Sequence, residues 1–62
     1  MSSVDRLTTL EEYSLRRIAN GGAKATLLRA DDLRRLVELG LAELGADRVV
    51  LTELGRARFE EL

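Results

Sequence analysis

Adjacent acidic residues are the first groups in this sequence whose chemistry can be tested, because paired carboxylates can serve as general acid and base. Three such pairs occur, at residues 11–12, 31–32 and 60–61. Neighbouring side chains on a helix point about 100° apart, so none of these pairs places two carboxylates on one face. We interpret them as surface residues and as charges that favour a helix N-terminus.

Nucleophilic, phosphate-binding and metal chemistry also lack their usual residues. Ser14 has no histidine or cysteine to activate it, since the chain contains neither. Gly21 and Gly22 precede Lys24, but without the spacing of a phosphate-binding loop. The commonest zinc ligands are missing for the same reason. The sequence therefore predicts a protein that is not an enzyme and that uses no cofactor and no metal.

The composition indicates one small folded domain over residues 1–62, of which residues 1–6 are expected to be flexible. Hydrophobic residues make up 45% of the chain and charged residues 34%, which is typical of a globular protein. No apolar run approaches the length of a membrane span, and the N-terminal residues lack the apolar core of a signal peptide. We therefore expect a cytoplasmic protein without membrane contact. A domain of about 60 residues buries only roughly 60% of its unfolded surface, so a partner would help to stabilise it.

Charge is distributed unevenly, although the net charge is −1. Residues 6–35 contain seven basic and four acidic residues, whereas residues 36–62 contain three basic and six acidic ones. No acid lies between Tyr13 and Ala30. The basic residues of this segment are Arg16, Arg17, Lys24 and Arg29. The segment is the one local candidate for an anion-facing surface, with an ordinary solvated surface as the alternative.

The first helix is predicted by its start and stop signals. Thr8 and Thr9 are each followed three residues later by a glutamate, which is the capping-box pattern. Asn20, Gly21 and Gly22 predict the end of the helix, because these residues accept a left-handed backbone. At about 100° per residue, the predicted core side consists of Leu7, Leu10, Ser14, Leu15 and Ile18. The opposite side consists of Tyr13, Arg16, Arg17 and Asn20.

A second helix is predicted after an ambiguous segment. Residues 25–28 form an apolar run too short to show a period, and we predict an extended strand there, with a first helical turn as the alternative. The second helix is predicted to have Ala30 or Asp31 as its cap and to end at Gly40. Its predicted core stripe consists of Leu33, Leu36, Val37 and Leu41, with Leu39 on the flank. The residues predicted to face outward are Arg34, Arg35 and Glu38.

A β-hairpin is predicted next, from residues 41–44 and 48–52. The β-branched residues of the second segment and a connection that holds glycine and aspartate are its signals. The predicted fold class is therefore α+β, in the order helix, short strand, helix, hairpin and helix.

The final helix is predicted to extend from Glu53 to about Glu61, with Thr52 as its cap. Its predicted apolar side consists of Leu54, Phe59 and Leu62. Gly55 lies near that side, where a missing side chain lets another element approach closely.

Residues 33–41, LRRLVELGL, and residues 49–56, VVLTELGR, carry a family resemblance. This pattern resembles the back half of bacterial winged-helix transcriptional regulators of the multidrug-resistance-regulator type. In that family a recognition helix ends in leucine-x-x-x-glycine-leucine, a β-hairpin wing follows, and leucine-threonine-x-x-glycine-arginine opens the next helix. The resemblance covers residues 33–59.

The resemblance implies a small winged-helix-like domain that binds double-stranded DNA, regulates transcription and forms a homodimer. Arg34 and Arg35 would then face the DNA groove and Arg48 would contact DNA from the wing. Arg16, Arg17 and Lys24 of the basic segment would contact phosphates, and Arg29 is a further predicted DNA-binding residue.

A shortened helix-turn-helix region keeps a second function open. Only seventeen residues separate Gly22 from Gly40, which is room for one helix and a short strand or turn. The alternative is a protein-interaction or dimerisation module with a winged-helix-like core and no DNA binding. Its predicted contact surface consists of Tyr13, Arg16, Arg17 and Asn20, because tyrosine and arginine are favoured at interfaces.

The relative placement of two arginine pairs distinguishes these functions. One continuous positive face that joins Arg16 and Arg17 to Lys24, Arg34 and Arg35 favours DNA binding. Separation of the two pairs onto opposite sides of the molecule favours the interaction module.

Overall fold

Three helices and a two-stranded hairpin make up the fold. The computed structural model describes residues 6–62, so the predicted flexible segment 1–6 lies outside the described residues except for Arg6. The helices are α1 (Thr9–Ala19), α2 (Ala30–Glu38) and α3 (Glu53–Glu60), and the strands are β1 (Ala42–Leu44) and β2 (Val49–Leu51). A single 3-10 turn (Ala25–Leu27) lies between α1 and α2. The α+β class and the order of helices and hairpin are confirmed.

The α1 helix begins and ends at the predicted signals. Its N-terminus carries a complete capping box, in which the amide of Glu11 donates to Oγ1 of Thr8 (3.1 Å) and the amide of Thr8 donates to Oε1 of Glu11 (2.9 Å). At the other end Gly21 and Gly22 have φ angles of 90° and 86°, a left-handed conformation that costs glycine little. The buried residues of α1 are Ser14, Leu15 and Ile18.

The extended strand predicted at residues 25–28 is wrong, because these residues form the 3-10 turn. The amide of Leu27 donates to the carbonyl of Lys24 (3.0 Å), and the amide of Leu28 donates to that of Ala25 (3.1 Å). The turn directs Leu28 into the core and leaves Leu27 at the surface. The extended residue is instead Ala23, which forms an isolated antiparallel bridge with Val49 of β2.

The α2 helix has a different cap and a different roll from those predicted. It begins at Ala30 with Arg29 as its N-cap, and no side chain caps it. Asp32 turns inward and accepts a hydrogen bond from Oγ of Ser14 in α1 (3.5 Å). With Asp32 on the inner side of α2, Leu36 is buried as predicted while Val37 is 39% exposed. Leu39 takes the inner place that was predicted for Val37 and packs against the core.

Thr52 joins the end of α2 to the start of α3. Its amide donates to the carbonyl of Leu41 (3.1 Å), and its hydroxyl donates to the carbonyl of Gly40. The same oxygen accepts from the amide of Gly55 (3.0 Å), which confirms Thr52 as the cap of α3. The hydroxyl therefore uses both its donor and its acceptor capacity at one place.

Gly55 confirms the predicted close approach. A Cβ added at Gly55 would overlap the carbonyl group of Leu41. This contact sets the roll of α3, so that Phe59, one helical turn further on, packs against the core. Leu54 was predicted on the same apolar side, but it is 57% exposed and lies over Gly40 instead.

The hairpin has the predicted position and a defined register. Ala42 pairs with Leu51, Glu43 with Val50 and Leu44 with Val49. Because Ala23 occupies the other edge of β2 at Val49, β1 forms the outer edge of this small sheet. The largest fully buried side chains come from α1, α2, β2 and the residue before β1, and they are Leu15, Ile18, Leu36, Leu41 and Val49.

Replacing Gly55 with alanine tests the contact between α3 and Leu41. Helix propensity alone would stabilise the protein by about 1 kcal/mol, whereas overpacking costs about 1–3 kcal/mol and sometimes more. We expect Gly55→Ala to lower the free energy of unfolding by about 2 kcal/mol. Urea denaturation followed by circular dichroism measures this value, and Arg56→Ala on the exposed side of α3 is the control, with a change within about 0.5 kcal/mol. A Gly55→Ala protein as stable as the wild type would contradict the close approach.

Candidate functional site

A cleft lies between α1, the 3-10 turn and the hairpin. Its cavity volume is about 380 Å³, which is within the usual range of ligand sites. We call it the basic cleft. Its lining residues are Tyr13, Arg17, Asn20, Gly22, Ala23, Leu27 and Arg48.

The backbone at Gly22 and Ala23 forms the inner wall of the basic cleft. The amide of Ala23 donates to the carbonyl of Val49 (3.1 Å), and the amide of Val49 donates to that of Ala23 (2.7 Å). A Cβ added at Gly22 would lie 3.2 Å from the carbonyl oxygen of Val49 and 3.6 Å from Cδ of Arg48. The missing side chain therefore eases the close approach of the Val49 carbonyl to the end of α1, and the stem of Arg48 lies in ordinary contact distance beside it.

Tyr13 and Arg17 form one unit on the α1 side of the basic cleft. They are four residues apart on the helix, and the Arg17 guanidinium lies 5.7 Å from the centre of the Tyr13 ring. Nη1 of Arg17 also donates to the Tyr13 hydroxyl (3.4 Å). Both side chains are exposed, so the unit they form is accessible to a ligand, and the guanidinium carries further donors besides the one that reaches the hydroxyl.

The lining of the basic cleft suits an anion. It contains two arginines and no acidic residue, although the exposed Asp47 precedes Arg48 in the chain. A guanidinium fork matches the geometry of a carboxylate or a phosphate. Among the described residues, neither Arg17 nor Arg48 forms an ion pair with a carboxylate. The charge of the cleft is therefore not neutralised within this part of the chain.

Two other arginines predicted as DNA contacts are engaged within the fold. Nε of Arg29 lies 3.9 Å from Oδ2 of Asp32. Nε of Arg35 lies 3.9 Å from Oε2 of Glu11, and the Arg35 side chain is only 33% exposed. The prediction that Arg35 faces outward is therefore wrong. Glu11, whose other oxygen closes the capping box of α1, draws this arginine towards α1.

Arg16 lies away from α2, whereas Arg17 lies on the flank of α1. The face of α1 that contacts α2 contains Glu11 and Ser14. At about 100° per residue, Arg16 points about 140° away from Glu11 and about 160° away from Ser14, whereas Arg17 points about 120° away from Glu11 but only about 60° away from Ser14. On α2, Arg34 points about 160° away from the buried Leu36 and is exposed. Arg16 and Arg34 therefore point away from the contact between the two helices, while Arg35 reaches Glu11 within it.

The basic cleft thus combines part of each predicted residue set. Tyr13 and Asn20 come from the predicted interaction surface, Arg48 comes from the predicted DNA contacts, and Arg17 belongs to both predicted sets. Arg16 and Lys24 are exposed near the cleft in the chain but do not line it. The lining residues that sequence reasoning missed are Gly22, Ala23 and Leu27. Their only local signal was the glycine pair, which indicated a helix end and not a cleft wall.

Comparison with known proteins places this chain in no family. No family model, no curated protein and no solved structure matches it. Within residues 6–62, no helix is both long and apolar enough to cross a bilayer. The same residues contain no cluster of three or more histidine, cysteine, aspartate or glutamate side chains that could hold a metal ion.

Alanine substitutions at Arg34 and Arg35 test their different surroundings. Arg35→Ala removes the contact with Glu11 and the packing of its half-buried stem, so we expect a loss of about 1 kcal/mol in unfolding free energy. Arg34→Ala changes an exposed side chain, and we expect a change within about 0.5 kcal/mol. Urea denaturation at low and high salt measures both values, and only the Arg35 effect is expected to shrink as salt is added. Equal effects at both positions would contradict the inward placement of Arg35.

Proposed function

We propose that this protein is a small protein-interaction module with a winged-helix-like core, and that it binds its partner through the basic cleft and the outer face of α1. The observation that carries the proposal is the convergence of Tyr13, Arg17 and Asn20 with Arg48 in one concave surface. No residue of α2, the helix that would enter a DNA groove, lines this surface. The partner is another protein or a second copy of this chain.

The small core supports this proposal. A domain of this size has little apolar surface to bury on its own, so an interface would add to its stability. Tyr13 is 58% exposed and Leu27 is 59% exposed, and both line the cleft that also carries two arginines. Tyrosine and arginine are enriched among the residues that contribute most to binding energy at interfaces.

DNA binding is the second candidate, and the topology favours it. The bridge between Ala23 and Val49 adds a third short segment to the hairpin, which is the strand arrangement of a winged helix. The 3-10 turn then stands where such a domain has its support helix. In that arrangement Arg34 would face the groove and Arg48 would lie near the wing. Asp31 and Glu38 are also exposed on α2 and would repel phosphates, which is why we rank this function second.

A charge reversal on each face of the helix pair distinguishes the two functions. Wild-type, Arg17→Glu and Arg34→Glu proteins would be used at equal concentration as baits for partner proteins, and sedimentation velocity would report self-association. We expect Arg17→Glu to weaken partner capture or self-association at least about tenfold, because the cleft loses one positive charge and gains a negative one. Arg34→Glu is the matched control and is expected to behave like the wild type.

A DNA titration completes this test. We expect no binding of mixed genomic duplex at tens of micromolar protein in about 50 mM salt, where non-specific phosphate contacts would register. Binding that is lost in Arg34→Glu but kept in Arg17→Glu would replace our proposal with the DNA-binding function. A wild-type protein that stays monomeric and captures no partner would also overturn the interaction module.

A further inference from the structure

We infer that the basic cleft binds an acidic peptide segment, whose carboxylates contact Arg17 and Arg48 and whose apolar side chain lies against Leu27 and the ring of Tyr13. The inference rests on the proposed function and names the chemistry of the partner at that site.

The charges of the cleft favour carboxylates. Arg17 comes from α1 and Arg48 from the hairpin loop, so cationic groups approach the cavity from two elements. The ring and the hydroxyl of Tyr13 both contact the Arg17 guanidinium before any ligand arrives, and such a contact lowers the entropy cost of binding. The stem of Arg48 lies beside Gly22 at the wall of the cleft. Guanidinium groups bind carboxylates with paired hydrogen bonds.

The other lining residues suit a peptide. Leu27 and Tyr13 are more than half exposed, so an apolar side chain placed between them would remove apolar surface from water on both partners. Asn20 is exposed at the C-terminus of α1 and carries both a donor and an acceptor, which a peptide backbone also requires. A cavity of about 380 Å³ accommodates a few side chains.

The charge of the surroundings disfavours a long polyanion. Asp47 is exposed next to Arg48, and the whole chain has a net charge of −1. A nucleic acid backbone needs several cations along its length, because each phosphate contact contributes through the release of a counterion. A short acidic segment needs only the two arginines that line the cleft.

Tyr13 provides an intrinsic reporter for the binding experiment. It is the one tyrosine of the chain, and the chain contains no tryptophan. The probe is the blocked peptide Ac-Gly-Glu-Leu-Glu-Gly-NH2, which is itself free of aromatic residues. We expect a saturable change in Tyr13 fluorescence, together with amide shifts at the cleft residues in nitrogen-15 NMR spectra. A peptide with glutamine in place of both glutamates is expected to bind about tenfold more weakly or not at all.

Variants assign the binding to the two arginines. Arg17→Gln and Arg48→Gln are each expected to weaken binding about tenfold, since each removes one charge-assisted contact. Arg17→Lys keeps the charge but not the planar fork and is expected to fall between the wild type and Arg17→Gln. Arg34→Gln, on the far face of α2, is the matched control and is expected to leave binding unchanged. Circular dichroism shows whether each variant is folded.

The outcomes separate this inference from the function on which it rests. Equal binding of the glutamate and glutamine peptides, or amide shifts confined to α2 and α3, would overturn it. The inference would also be overturned if a short DNA duplex or inorganic phosphate shifted the amide signals of the cleft residues while the peptide did not. If the peptide fails but Arg17→Glu still abolishes partner capture, the interaction module stands and only the acidic-peptide specificity is wrong. If Arg17→Glu leaves partner capture unchanged while the peptide binds, the proposed function is wrong, and the cleft is a peptide-binding site that does not serve partner capture.

Discussion

The paired hydrogen bonds between Ala23 and Val49 are the constraint on which the rest of the structure depends. They fix the end of α1 against β2 at the residue that directly follows Gly21 and Gly22, where the chain reverses. The positive φ angles of the glycines make this reversal inexpensive, and the bare backbone at Gly22 makes room for the neighbouring hairpin. The same pairing places Arg48 beside the outer face of α1. One short contact between distant segments therefore sets both the topology of the sheet and the existence of the basic cleft.

That constraint also explains the short connection between α1 and α2. Once Ala23 is fixed on β2, only residues 24–29 remain to reach the start of α2. A single 3-10 turn covers this distance and directs Leu28 inward, whereas a full support helix would need more residues. On the opposite side, Thr52 and Gly55 hold α3 against the end of α2 through Gly40 and Leu41. The core therefore lies between two chain reversals. The reversal after α1 is held by the strand pairing of Ala23, and the reversal before α3 is held by the Thr52 cap.

Local signals predicted the elements better than they predicted their orientation. The capping box at Thr8, the glycine end of α1 and the Thr52 cap depend on residues within one helical turn, so the sequence was sufficient for all three. The roll of α2 depends on its packing against other elements, which brings Asp32 to Ser14 and Arg35 to Glu11 of α1. These long-range contacts are not visible in the local sequence, so the predictions for Val37 and Arg35 were wrong. The strand predicted at residues 25–28 was wrong for a similar reason, because the pairing of Ala23 with Val49 determined the path of the chain after it. Arg17 and Arg48 line the same cleft although they lie far apart in the chain. The periodicity of the sequence is a local property, so it does not predict this long-range proximity.

The outer edge of β1 has a consequence for aggregation. Within residues 6–62 no segment pairs with that edge, so its backbone groups are available to a neighbouring chain. Exposed edges of this kind can seed edge-to-edge assembly unless they are short or charged. Here the strand contains three residues, and the exposed Glu43 is at its centre. A second molecule adding to this edge would gain few hydrogen bonds and would bring two like charges together, which protects a small, leucine-rich protein from uncontrolled growth into fibres.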